Sequence, residues 1–227
     1  MVRKRAYRAV ALVCLTAASF SVAPSPATAQ LSGDPEAIAL VRRMLDMLGG
    51  QETWAQARSI YVELLGHYAP ESDPWMESYW IDLEVPRGRY EIRAGESERV
   101  IAWTLDGGWE SRDGVVEPQS EERHDLEHAY WVRELTVIFR RLAAGSPASR
   151  LALDAAPDGT RTITIIDAGT GEAIADLTLN AAAQPIRWSA TILDESHERV
   201  LGPLEEYDGL RLPEWGATPS CTLVSPR

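Results

Sequence analysis

Residues 59–105 alternate between apolar and polar side chains, and this pattern constrains the fold more than any other feature. The apolar positions of four successive runs are Ile60, Val62 and Leu64; Tyr79, Ile81, Leu83 and Val85; Tyr90 and Ile92; and Ile101, Trp103 and Leu105. Turn-forming pairs such as Asp106-Gly107 and Asp113-Gly114 separate or follow these runs. Short strands of period two, joined by tight turns, predict an antiparallel sheet with one apolar face.

Two helices interrupt the strands. Asp34-Pro35-Glu36 is a helix start, and the helical spacing of apolar residues that follows ends at Gly49-Gly50. A second helix is predicted over 120–144, with Ser120 as its cap, and strands resume from 162 to 213. The sequence therefore predicts an α+β fold in which an N-terminal helix and a long central helix cover a curved antiparallel sheet, a half-open β-barrel.

Residues 1–29 have the pattern of a cleaved secretory signal peptide. Arg3-Lys4-Arg5 precedes an apolar stretch that ends near Phe20, and Ala27-Thr28-Ala29 matches a cleavage site. We expect residues 30–215 to form a single domain and residues 216–227 to form a flexible C-terminal tail. No later stretch approaches 18 apolar residues, so no integral membrane segment is expected in the mature chain. The expected location is the periplasm, with the extracellular space as the alternative.

The net charge narrows the range of partners. The chain carries a formal charge of −12, and because four of its 22 basic residues lie in 1–29, the remainder carries −16. Such a surface repels phosphate, so we expect no nucleic-acid partner. No lysine follows Lys4, which excludes a P-loop or a Schiff-base lysine in the mature chain.

The order of elements and several short phrases resemble the LolA/LolB-type family of periplasmic lipoprotein-sorting proteins. The phrases are Leu48-Gly49-Gly50 at the end of the first helix, the successive strands Ile163–Ile165, Ala173–Leu179 and Ile186–Ile192, and the closing Tyr207-Asp208-Gly209-Leu210-Arg211-Leu212-Pro213. The resemblance spans Asp34 to Pro213. It implies an eleven-stranded half-open barrel covered by helices, an apolar cavity for acyl chains, and no cofactor or bond-making residue. No ligand-contacting residue of the family can be matched to this chain.

The expected function is non-enzymatic binding and carriage of a lipid or an acylated lipoprotein, with a membrane-associated donor or acceptor protein as a further partner. A twisted sheet of about ten strands curls, and incomplete cover by helices leaves a cavity of acyl size. Side chains on the apolar face are the candidates for its lining. These are Tyr79, Ile81, Leu83, Ile92, Ile101, Trp103, Leu105, Trp131, Leu135, Ile138, Ile163, Ile165, Ile186, Trp188 and Ile192.

A second function remains open on the central helix. His124, Glu127 and His128 satisfy the H-x-x-E-H pattern of a class of zinc peptidases. Histidines at i and i+4 can hold one metal ion while the glutamate activates a water molecule. The same histidines lie on one stripe with Trp131 and Leu135, so a pH-sensitive lid is another interpretation. A third alternative is a sensor or interaction domain whose groove receives a protein segment.

Overall fold

The computed structural model describes residues 31–67, 73–156, 159–218 and 222–226. The signal peptide predicted for residues 1–29 lies outside these residues. The helices are α1 (Pro35–Met47), α2 (Gln51–Gln56), α3 (Glu121–Arg133) and α4 (Leu135–Ala143). None of the helices in the described part of the chain is long and apolar enough to cross a membrane.

The strands account for most of the remaining described residues. They are β1 (Ser32–Gly33), β2 (Ser59–His67), β3 (Trp75–Asp82), β4 (Gly88–Ala94), β5 (Ser97–Thr104), β6 (Gly107–Arg112), β7 (Val115–Pro118), β8 (Ser149–Ala155), β9 (Arg161–Asp167), β10 (Ala173–Leu179), β11 (Pro185–Ile192), β12 (Glu195–Leu201), β13 (Leu204–Tyr207), β14 (Leu210–Pro213), β15 (Gly216–Thr218) and β16 (Thr222–Pro226).

Fourteen strands form one open sheet in the order β1-β8-β9-β10-β11-β12-β15-β16-β2-β3-β4-β5-β6-β7. Among the strands of the described residues, only the short β1 pairs in parallel, with β8, and β13 and β14 form a separate hairpin. The predicted fold class, an α+β protein built on an open antiparallel sheet, is confirmed.

The two meanders of the sheet, β2–β7 and β8–β12, are joined by β15 and β16. β15 pairs with β12, and β16 pairs with β2. Both joining strands fall within residues 216–227, which we expected to be a flexible tail. The structure corrects this expectation for 216–218 and 222–226, because their backbone hydrogen bonds complete the sheet.

Both predicted helix starts have the expected caps. The Asp34 carboxylate accepts a hydrogen bond from the Glu36 N–H at 2.7 Å, and the Ser120 hydroxyl accepts one from the Arg123 N–H at 3.2 Å. These bonds satisfy N–H groups that have no partner within the helix. Apolar side chains of α1 and α4 pack against those of the sheet in one buried core.

Two of the phrases on which the family resemblance depends, Leu48-Gly49-Gly50 and the closing 207–213, lie against each other. The Arg211 N–H donates to the carbonyl oxygen of Leu48 at 2.8 Å, which ties β14 to the end of α1. Gly49 has a φ of +111°, and a Cβ at this position would lie 2.2 Å from the carbonyl oxygen of Gly209. Only glycine fits there, because the conformation is left-handed and the hairpin backbone occupies the space of a side chain.

The central helix is broken, which corrects the single long helix expected from the sequence. Glu134 adopts an extended conformation between α3 and α4, with a ψ of 132°. Side chains from elsewhere satisfy carbonyl groups that the break frees: Trp188 Nε1 donates to Arg133 at 3.1 Å, and Arg141 Nη1 donates to Val132 at 3.4 Å. Trp188 is distant in the chain and Arg141 lies beyond the break. The spacing of apolar residues along the helix therefore did not predict the break.

Candidate functional site

The meander β2–β5 presents parallel rows of side chains on the face that the helices cover. Read across β2, β3, β4 and β5, the rows are Ile60–Ile81–Gly88–Trp103, then Val62–Tyr79–Tyr90–Ile101, then Leu64–Glu77–Ile92–Arg99. We call them the lower, middle and upper rows. Directly paired residues share one face of a sheet, and alternate residues of each strand do the same.

The lower row is closely packed. Ile81 and Trp103 are almost completely buried, and Trp131 of α3 belongs to the same core. A Cβ at Gly88 would lie 2.9 Å from Cζ2 of Trp103, so the indole fills the space that a side chain would take. The lower row is therefore part of the packed core.

The middle and upper rows border a cavity of about 520 Å³ between the sheet and the helices. This volume lies within the usual range for small-molecule sites. The helical wall consists of Arg123, Leu126, Glu127, Tyr130, Glu134, Leu135 and Thr136. The remaining wall consists of Trp188, Arg199, Leu201, Leu212, Pro213, Trp215, Gly216 and Thr218. The break between α3 and α4 therefore lies in the wall of the cavity.

The structure places the sequence-predicted candidates in several surroundings. Those in the cavity wall are Tyr79, Ile92, Ile101, Leu135 and Trp188. Those within the packed core are Ile81, Leu83, Trp103, Trp131, Ile138, Ile163, Ile165 and Ile192. Ile186 is half-buried outside the wall, and Leu105 is 57% exposed in the turn after β5. Contact of any of these residues with a ligand stays a prediction.

Charged side chains in the wall were not anticipated from the sequence. Arg123 forms an ion pair with Glu127, and Arg199 Nη1 lies 3.9 Å from Glu134 Oε2. Burial raises the pKa of Glu127, and Arg123 opposes this shift. The cavity thus differs from the wholly apolar one that we expected.

Arg99 is engaged with an acid outside the wall. Its Nη2 donates to Glu110 Oε2 at 2.8 Å, and this hydrogen bond is the main reason that the pKa of Glu110 falls to about 2. Arg112 Nε also donates to Glu110, at 2.6 Å. The guanidinium group of Arg99 is therefore already held by a fully charged carboxylate.

Glu77 lies in the upper row between Leu64 and Ile92. The bond from Trp75 Nε1 to its Oε2 is long, at 3.5 Å. Burial raises the pKa of Glu77, the Trp75 hydrogen bond and Arg199 oppose this shift, and Glu134 adds to it. Within the described residues, no ion pair with Glu77 is found.

The residues of the H-x-x-E-H pattern point to different surroundings. Nε2 of His124 and Nε2 of His128 donate to the same carbonyl oxygen, that of Thr104, at 2.8 and 3.0 Å. Glu127 lies in the cavity wall beside Arg123. Over the described ranges, no cluster of three His, Cys, Asp or Glu side chains is placed to hold a metal ion.

Comparisons with known proteins give matches in structure. The chain is similar to a LolA superfamily protein from Nitrosomonas europaea, at a TM-score of 0.49 and 12% identity over 84% of this chain and 91% of that one. It is also similar to an outer membrane lipoprotein-sorting protein domain from Vibrio parahaemolyticus, at a TM-score of 0.43 and 8% identity over 82% and 91%.

A DUF1329 family protein from Desulfovibrio piger has a TM-score of 0.39 and 9% identity, over 86% of this chain and 92% of the other. No family model matches the chain, and no curated protein matches it at a significant level.

Proposed function

We propose that this protein is a non-enzymatic binding or carrier protein that holds a lipid or the acyl chain of a lipoprotein in the cavity between its sheet and its helices. The cavity of about 520 Å³ is the observation that carries this proposal. Its middle row, Val62–Tyr79–Tyr90–Ile101, forms a largely apolar floor opposite Leu126 and Leu135.

The driving force is the burial of the ligand's hydrocarbon. Each methylene moved from water into an apolar site contributes about 0.8 kcal/mol, so six methylenes contribute about 5 kcal/mol before the costs of association. The aromatic rings of Tyr79 and Tyr90, with centroids 5.8 Å apart, and that of Trp188 present broad surfaces to such a chain. Binding of this kind needs no bond-making residue.

The proposal includes export to the periplasm and delivery of the ligand between membrane-associated partners. The signal-like residues 1–29 and the expected charge of −16 after their removal support export without a nucleic-acid role. If a peptide segment rather than an acyl chain occupied the cavity, the groove-type interaction domain would be the better description.

Native mass spectrometry of the protein after mild extraction tests the proposal. We expect a co-purifying species whose mass and fragmentation identify an acyl chain. The variant Ile92→Trp places a bulky ring in the upper row and should reduce the bound fraction. Leu105→Trp is the matched control, because Leu105 is 57% exposed and lies outside the cavity wall. Ligand-free protein that also takes up no added lipid would contradict the proposal.

A further inference from the structure

We propose that this cavity selects amphiphiles whose polar end is an organic ammonium group, held by the Glu77 carboxylate and the rings of Tyr79 and Tyr90. The inference rests on the proposed function, because it concerns the polar end of the same ligand. The proposed headgroup site is at the upper row, which contains the charged side chains of Glu77 and Arg99 beside the apolar middle row.

The basic side chains of the cavity wall are already matched by acids of the protein. Arg123 is paired with Glu127, Arg199 lies near Glu134, and Arg99 is bound by Glu110 from outside the wall. Each of the cavity's guanidinium groups therefore already faces an acid of the protein.

Glu77 lies between apolar neighbours in its row. Its row neighbours Leu64 and Ile92 are aliphatic, and within the described residues it has the long bond from Trp75 and no ion pair. A half-buried carboxylate without a cation is unfavourable, and a ligand that brings a positive charge removes this cost. Burial raises the pKa of this group, and the Trp75 hydrogen bond and the charge of Arg199 offset the rise only in part.

Two aromatic side chains lie in the row next to that of Glu77. Tyr79 lies two residues along β3 on the same face, about 6.6 Å away, and Tyr90 pairs with it across the strands. Ammonium groups are attracted to ring faces within about 6 Å of the centroid, and quaternary ammonium ligands are typically held by such rings. A carboxylate beside two tyrosines thus suits an ammonium head whose tail continues over the middle row.

The buried hydrogen-bond donors of the cavity wall do not favour a ligand with an anionic headgroup. Nε of Arg99, Nε of Arg123 and Oγ1 of Thr136 lack a hydrogen-bond partner among the described residues, but each atom is shielded from solvent. A ligand in the cavity cannot reach these atoms without moving the side chains. Among the described acids of the wall, Glu77 is the one without an ion pair, and the charge of Arg199 compensates it only in part.

Calorimetric titration with probes that share a twelve-carbon tail tests the inference. The probes are dodecyltrimethylammonium, dodecyl maltoside and dodecanoate, each kept below its critical micelle concentration at constant ionic strength. We expect the wild-type protein to bind the ammonium probe at least tenfold more tightly than dodecanoate. Glu77→Gln should weaken binding of the ammonium probe about tenfold and leave that of the maltoside unchanged, which also shows that the variant is folded.

Glu117→Gln is the matched control, because it removes the same charge from the exposed strand β7. It should leave the order of the probes unchanged. Equal affinity for the ammonium probe and dodecanoate in the wild type, or an equal loss in Glu77→Gln and Glu117→Gln, would overturn the inference and leave the proposed function standing. If no probe binds at all, the proposed function fails, and the inference fails with it.

Discussion

The indole Nε1 of Trp131 donates a hydrogen bond of 2.6 Å to the main-chain carbonyl oxygen of Asp82. This bond joins α3 to the end of β3 and is buried. Trp131 is 4% exposed, and the guanidinium carbon of Arg141 lies 4.8 Å from its ring centroid. One side chain thus ties α3 to the sheet at the level of the closely packed lower row.

Trp131→Phe should destabilise the protein by about 1–3 kcal/mol, because the buried carbonyl of Asp82 loses its donor. Urea denaturation measures this change. Trp109→Phe is the control, since Trp109 is only half-buried and lies on the opposite face of the sheet. An equal loss in both variants would show that the Trp131–Asp82 bond has no special role.

Glu77→Gln should change how stability depends on pH. Because the pKa of Glu77 is raised in the folded state, chiefly by burial, the folded protein holds this proton more firmly than the unfolded chain does. Ionisation of Glu77 therefore destabilises the fold as the pH rises through the raised pKa. Without ligand, we expect the variant to be more stable than the wild type at pH 7 and equal to it below about pH 4.

Chemical denaturation across this pH range gives the comparison, with Glu117→Gln as the control. A variant that is less stable than the wild type at neutral pH would mean that the protein itself supplies a partner for the Glu77 carboxylate.

Arg123→Ala should leave the carboxylate of Glu127, 3% exposed, without its ion-pair partner. We expect a loss of about 1–3 kcal/mol at pH 7, and a second substitution, Glu127→Gln, should restore most of it. Arg187→Ala breaks the more exposed pair with Glu198 and should cost no more than about 1 kcal/mol. If the double variant is no more stable than Arg123→Ala, the buried charge is not the cause of the loss.

His128→Ala removes one of the two hydrogen bonds to the Thr104 carbonyl, while the bond from His124 remains. We expect a loss of about 0.5–1.5 kcal/mol. Because both histidines bond to this carbonyl and Glu127 is held by Arg123, added zinc should leave the melting temperature of the wild type unchanged. A rise with zinc that disappears in His128→Ala would favour the zinc-site alternative.

The alternation of residues was enough to predict the sheet and its inner face, but not the depth of each side chain. Ile81 and Tyr79 share a face of β3, yet Ile81 belongs to the packed lower row and Tyr79 to the cavity wall. The difference depends on where the helices rest, which is set by tertiary contacts such as the Trp131–Asp82 bond. Local periodicity contains no information on such contacts.

The charged positions of the wall were detectable in part. Glu77 precedes Tyr79 by two residues, and Arg99 precedes Ile101 by two, so the parity of each strand already places these charges on the inner face. The break at Glu134 had no comparable signal, since no proline or glycine marks it and the Trp188 indole that satisfies the freed Arg133 carbonyl is far along the chain.

A crystal structure with a terminally brominated dodecyl amphiphile would test the account most directly, because the anomalous signal of bromine locates the end of the tail. We expect a single bromine site in the cavity, over the middle row between Tyr79 and Leu135. Bromine bound only on the outer surface, with the cavity filled by ordered water, would contradict it.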